Sequence, residues 1–139
     1  MKHESLVITL KNITKSDSPF LYELLNERDP TVNISHKKMP TYENHLKFVM
    51  SKPYSKWYII KSKSQRVGSI YLSKQNEIGI FIKNGMQGKG IGKKAMQLLM
   101  KKNPRTRYLA NVNPKNIKSI DFFKKNGFRL IQYTYELIK

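Results

Sequence analysis

Three glycines at alternate positions, Gly88, Gly90 and Gly92, stand between an apolar strand-like run, Glu77–Ile82, and an amphipathic stretch that continues to Lys102. Glycine accepts left-handed backbone without a Cβ penalty, so this junction reads as a tight turn from strand to helix whose amides stay open to a ligand. In the stretch that follows, Ile91, Ala95, Leu98 and Leu99 fall at i, i+4, i+7 and i+8, while Lys89, Lys93, Lys94 and Lys101 lie off the stripe. That spacing predicts a helix from about Gly88 to Lys102, stopped by Asn103-Pro104. Open amides at a helix N-terminus suit a phosphate or pyrophosphate, and a plain strand-to-helix turn is the structural alternative. Two phosphate motifs are excluded by spacing. A P-loop needs Gly-Lys followed by Ser or Thr, and Gly92-Lys93 is followed by Lys94. A Rossmann fingerprint needs its third glycine one residue later and an acid about 20 positions on, yet residues 105–120 contain no Asp or Glu.

The elements around this turn set the fold class. Leu6–Ile13 alternates as a first strand. Asp17-Ser18-Pro19 opens a helix carrying Phe20, Leu21, Leu24 and Leu25, and Asn26–Met39 reads as a loop or broken helix. Pro40-Thr41 opens a second helix that ends at Ser51-Lys52-Pro53. Strands are then expected at Trp57–Lys61, Arg66–Leu72 and Glu77–Ile82, with gaps short enough for an antiparallel meander. After the glycine turn and its helix come a short strand at Arg107–Val112 and a helix started by Asn113-Pro114 and ended by Asn126-Gly127. One or two closing strands are expected over Phe128–Ile138. The expected architecture is α/β (α+β), a three-layer α/β/α arrangement around a mixed, mostly antiparallel sheet, with residues 1–139 as a single domain.

Composition narrows the chemistry. The 139 residues contain no cysteine, which removes disulfides, thiolate metal sites and cysteine nucleophiles. His3, His36 and His45 have no metal-ligand spacing, so no metal is expected. No apolar run approaches a membrane span and the first residues lack a secretory pattern, so the expected setting is cytoplasmic, with no membrane partner. Lys+Arg number 27 against nine Asp+Glu, a formal net charge of +18. Such a surface favours polyanions, although a lysine-rich composition alone also produces it. The lysines are spread along the chain rather than gathered into an arm.

With the glycine turn and the downstream helix in view, the sequence resembles the GNAT superfamily of N-acetyltransferases. The signature Gln/Arg-x-x-Gly-x-Gly/Ala is met by Gln87-Gly88-Lys89-Gly90-Ile91-Gly92. A second segment, Asn-x-x-Ser/Ala-x-x-Phe-Tyr-x-x-x-Gly-Phe, is matched by Asn116, Ser119, Phe122, Gly127 and Phe128. The resemblance implies a GNAT-like fold with acetyl-CoA as co-substrate. Backbone amides from Gln87 through Gly92, with Lys89 and Ile91 inside that run, would hold the pyrophosphate. Ile80, Phe81 and Ile82 would lie along the pantetheine as if it were an added strand. Asn116, Ser119 and Phe123 complete the expected cofactor contacts. Lys93 and Lys124 or Lys125 are further phosphate candidates, each with an ordinary solvated lysine as its alternative.

The same resemblance places a general base at Glu77, which would take the ammonium proton. A strand-edge carboxylate paired with a lysine is the bland alternative. Amides near Phe81 and Ile82 would polarise the thioester carbonyl. The chain departs from the family at Phe123, where a tyrosine often protonates the CoA sulfur. A thiol of pKa about 8.5 is already a tolerable leaving group, or Tyr108, Tyr133 or Tyr135 could substitute; of these Tyr133 is the one carried forward as a catalytic candidate. The acceptor is expected over the first two helices, roughly Arg28 to His45, with Asn33, His36 and His45 as substrate candidates. A small primary amine, such as a nucleotide-linked amino sugar, is the leading acceptor. An acetyltransferase for protein or RNA is an alternative, and so is a basic nucleic-acid-binding module without turnover, which the core-like placement of the aromatics disfavours. A monomer or homodimer is expected.

Overall fold

Short polar gaps between strands force neighbours to pair, and this determines the sheet. The structure, a computed structural model, describes residues 7–28 and 39–139. Its elements are β1 (Ile8–Asn12), a 3-10 turn (Lys15–Asp17), α1 (Ser18–Glu27), α2 (Tyr42–Met50), β2 (Lys56–Ser62), β3 (Gln65–Leu72), β4 (Ile78–Ile82), α3 (Ile91–Lys102) and α4 (Ile117–Lys125). The four strands form one antiparallel sheet in the order β1-β2-β3-β4. Lys63 at φ 58° turns β2 into β3, and Asn76 at φ 65° turns β3 towards β4. The parallel element of the expected mixed sheet is a single bridge, Glu77 with Leu109.

Alternation along the strands divides the core between two faces. Ile8, Tyr58, Ile60, Ile70, Leu72 and Ile78 pack with Ile91, Ala95, Met96 and Leu99 of α3 on one face. On the other, Ile59 packs with Leu21 and Leu24 of α1 and Val49 of α2, with Trp57 and Phe81 beside them. Helices on both faces give the three layers, and each fully buried Ile or Leu contributes about 1.5–3 kcal/mol. Asp17, fully buried, ties the layers at one end. It accepts bonds from Lys11 at 2.7 Å on β1, from the Thr14 amide at 2.8 Å and from Arg66 at 2.9 Å on β3. Burial pushes its carboxyl pKa up, and these donors outweigh that, so the net shift is downward.

Local signals hold the helices where propensity alone would not. α1 carries Pro19 in its first turn, and Thr41 caps α2 by accepting from the Asn44 amide at 3.2 Å. Four expectations are corrected. α4 begins at Ile117 rather than at Asn113-Pro114, because Asn116 is the cap, accepting from the Ser119 amide at 3.2 Å, while the Asn113 side chain closes a turn onto the Lys115 amide. Likewise α3 begins at Ile91, with Gly90 as its left-handed cap. Residues 107–112 form no strand beyond the Leu109 bridge, and 128–138 form none at all. The last segment has the period-two pattern Ile131, Tyr133, Tyr135, Leu137, yet these side chains are 53–90% exposed. Alternation marks a segment that fits a pleated surface; it does not supply the neighbouring strand. Among the described residues no helix is long and apolar enough to cross a membrane.

Candidate active site

The direction of the backbone groups of β4 follows from two bonds. The Glu77 carbonyl accepts from the Ser73 amide at 2.8 Å on the β3 side, and the Ile78 amide donates to the Leu109 carbonyl at 2.8 Å on the other. Antiparallel pairing alternates these directions. Gly79 and Phe81 therefore bond to β3, while Ile80 and Ile82 aim their N–H and C=O groups outward, where residues 110–112 have diverged from the sheet. The result is a fork, closed at the Glu77–Leu109 bridge and open towards the glycine turn. Gln87 donates to the outward Ile82 carbonyl at 3.1 Å, which links the fork to that turn. Of the two amides expected to polarise a carbonyl, that of Ile82 faces the fork and that of Phe81 is spent on β3.

The turn itself has the expected geometry. Gly88 and Gly90 sit at φ 76° and 79°, where L side chains are strained, and a Cβ on either would meet nothing within 4 Å. Gln87, Gly88, Lys89 and Gly90 are exposed. The first intrahelical bond is from the Lys94 amide to the Gly90 carbonyl, which leaves the amides of Ile91, Gly92 and Lys93 free of helical partners. Gly92 has a different reason for being glycine: a Cβ there would come within 3.2 Å of the Phe122 ring on α4.

Glu77 lies at the closed end, half-buried. Its Oε1 accepts from Ser73 Oγ at 2.9 Å and its Oε2 from Asn111 Nδ2. A carboxylate can accept about four bonds, so an acceptor site remains on it. Asn116 spends its side-chain oxygen on the α4 cap, which leaves its amide nitrogen for a ligand. Ser119 lies one turn along that helix. Phe123 is held edge-on between Phe122 and Phe128, at 5.2 and 5.1 Å, and brings no hydroxyl.

The alternative tyrosines are not assembled around Glu77. Tyr108 donates to the Asn103 carbonyl at 2.7 Å and accepts from the Arg105 amide at 2.9 Å, locking the end of α3. Tyr133 and Tyr135 are 74% and 90% exposed and stack on each other. Asn33 and His36 lie outside the described residues. His45 is buried between α2 and α1, edge-on to Tyr22 at 5.4 Å, and burial lowers its pKa.

Sequence reasoning missed a cluster on the α1/α2 face of β4, the face shared by Glu77, Gly79 and Phe81. Tyr71 is paired opposite Gly79, and a Cβ on Gly79 would lie 2.2 Å from its ring. Tyr54 stacks on Tyr71 at 3.8 Å with rings 4° from parallel, and Trp57 meets Tyr54 edge-on at 4.8 Å. Arg28 stands over the Phe81 ring, 4.3 Å from its centroid. Burial raises the pKa values of both phenols, so they stay neutral donors; burial also lowers that of Arg28 from its high starting value. These residues are far apart in sequence, and only the alternation of β3 and β4 could have hinted at a shared face. An open depression of about 520 Å³ between the start of α1 and the β2–β3 turn includes no residue of the fork.

Comparison with known proteins gives a consistent picture. The family described as "Acetyltransferase (GNAT) family" matches residues 18–128. Peptidyl-lysine N-acetyltransferase YjaB of Escherichia coli (strain K12) is 30% identical over 74 residues, 53% of this chain and 49% of that protein. The chain thus aligns with about half the length of this curated relative. A domain from Methanocaldococcus jannaschii DSM 2661 superposes with a TM-score of 0.80 at 26% identity, covering 95% of this chain and 94% of that one. RimL, a ribosomal L7/L12 alpha-N-protein acetyltransferase solved in complex with coenzyme A, superposes with a TM-score of 0.71 at 19% identity, covering 93% and 83%. At that identity the likeness shows the fold alone.

Proposed function

The chain belongs to the acetyltransferase (GNAT) family, and from that premise we propose that it moves the acetyl group of acetyl-CoA to a primary amine by direct attack. The observation that carries this reading is the fork of β4, whose outward backbone groups at Ile80 and Ile82 lead to the left-handed glycine turn. A pantetheine arm laid in the fork would bond to Ile80 and Ile82, and its pyrophosphate would meet the amides of Gln87–Gly92 at the N-terminus of α3. Asn116, Ser119 and Phe123 would flank the thioester end.

Glu77 would take a proton from the bound ammonium, held in place by Ser73 and Asn111. The neutral amine then attacks the thioester carbon, and the developing oxyanion meets the Ile80 amide, the outward amide of the fork nearer Glu77. Collapse expels the CoA thiolate, and the second proton that the nitrogen sheds on becoming an amide passes to that thiolate, directly or through water. No tyrosine is needed for this, because a thiolate leaves without prior protonation far more easily than an alkoxide. A small amine such as a nucleotide-linked amino sugar suits the basic surface. The second reading, a peptide amine, draws on the peptidyl-lysine and α-N-protein activities named for YjaB and RimL.

Calorimetric titration with acetyl-CoA, followed by thiol release over an amine panel, tests the proposal. Glu77→Gln should lower kcat about 10²–10⁴-fold and leave acetyl-CoA affinity within about twofold. An unchanged rate at neutral pH would remove Glu77 from the mechanism, and failure to bind at millimolar acetyl-CoA would sink the reading as a whole.

A further inference from the structure

The guanidinium of Arg28 is partly removed from water, yet among the described residues it has no carboxylate partner and no side-chain hydrogen bond; it lies over the Phe81 ring, with the phenols of Tyr71 and Tyr54 near it. Three nearby acids among the described residues are committed elsewhere. Glu27 accepts from the Asn84 amide at 2.7 Å, Asp17 holds Lys11 and Arg66, and Glu77 holds Ser73 and Asn111. A desolvated guanidinium ordinarily meets a carboxylate or phosphate through its N–H edge. Here the flat face is taken by Phe81, and no described residue bonds to the edge. In the same cluster the Trp57 indole N–H is buried without a partner. The residues around it, Tyr54, Tyr71 and Phe81, carry no negative charge at neutral pH, so the cluster is a cationic, donor-rich wall.

This wall shares a strand face with the proposed base. Glu77 and Phe81 are four residues apart on β4, about 13 Å at ~3.3 Å per residue. Their side chains, and that of Arg28, can shorten the gap by a few ångströms at each end. We propose that Arg28, stacked on Phe81, is the anion-recognition residue of an acceptor subsite, so that the acceptor is an amine that also carries a carboxylate or phosphate several bonds away. This rests on the acetyl-transfer reading above. α-Amino acids, whose amine and carboxylate share one carbon, are too short to reach both groups. An ω-amino acid or a phosphorylated amino sugar spans the distance.

Trp57 is the sole tryptophan and touches Tyr54, so its fluorescence reports binding at this wall without any turnover. The probes are two pairs matched in shape, 6-aminohexanoate against hexylamine and glucosamine 6-phosphate against glucosamine. They are titrated into the wild-type protein, Arg28→Gln and Arg28→Lys, each checked for fold by circular dichroism and for acetyl-CoA affinity. At least one anionic member should saturate, and whichever pair does so separates carboxylate from phosphate as the anion. Arg28→Gln should weaken that binding about 10–100-fold and Arg28→Lys less, with the neutral members indifferent to both. Equal binding of anionic and neutral members, no titration by either anion, or wild-type behaviour of Arg28→Gln would each overturn the subsite. Thiol release from acetyl-CoA with the same probes separates the two levels. An anion that binds at Arg28 and is not acetylated would leave the subsite standing and overturn its use in acetyl transfer. Equal acetylation of both members of each pair would do the reverse.

Discussion

Replacing Gly79 with alanine tests whether the tyrosine wall is built on the absence of a side chain in β4. An added Cβ would sit 2.2 Å from Cε2 and Cζ of Tyr71 and 2.5 Å from its hydroxyl. Carbon atoms in contact need about 3.5–4.0 Å, so the ring must move by more than an ångström. That movement breaks the 3.8 Å stack on Tyr54, worth about 0.5–1.5 kcal/mol, and forces an off-rotamer torsion of similar cost. Against this, alanine in a strand gains roughly 0.5–1 kcal/mol over glycine through the unfolded chain. The net expectation is a loss of about 0.5–2 kcal/mol in urea unfolding with an unchanged m value. The decisive measurement is a double-mutant cycle. With Tyr71→Ala already in place the obstacle is gone, and Gly79→Ala should become neutral or stabilising by up to about 1 kcal/mol. Equal destabilisation in both backgrounds would show that the ring is not what keeps position 79 empty.

Gly90→Asp should abolish measurable acetyl-CoA binding by calorimetry, because φ 79° strains an L residue and a carboxylate would face the proposed pyrophosphate. Since a Cβ there meets nothing within 4 Å, Gly90→Ala should retain part of the affinity, and complete loss in both variants would point to unfolding of the turn instead. Asp17→Asn should cost about 1.5–3 kcal/mol at pH 7, from lost charged hydrogen bonds. The Asp17 pKa is lowered on folding, so its contribution is whole above the unfolded value near 3.8 and fades as pH falls through the lower folded value. Acid-induced unfolding curves of wild type and variant should therefore converge below about pH 4, and parallel curves would contradict the assignment.

The parts of the fold that sequence exposed are those specified by neighbours in the chain. The β2–β3–β4 meander follows from gaps too short for anything but adjacent antiparallel pairing, and α3 from one apolar stripe between glycines and Asn103-Pro104. Asn113-Pro114 reads locally as the start of α4, whereas the helix is capped at Asn116, with Phe122 and Phe123 docked on the core. The final segment carries a strand pattern because alternation is local, whereas pairing is not. At the site, Glu77 and the glycines stood out by position. Ser73, Asn111, Arg28, Tyr54 and Tyr71 did not, because they converge through the register of β3 on β4 and the exit of α1, which no short window reveals.

The open side of β4 also bears on how long the molecule lasts. An edge strand with free N–H and C=O groups is the place where one chain can capture another. Here that edge and the proposed docking slot are one object, so an empty slot exposes a template for aggregation and a filled one conceals it. Occupancy at a hundredfold excess over Kd would add about 2.7 kcal/mol to global stability. Resistance to unfolding and resistance to self-association would then rise together with occupancy of the slot.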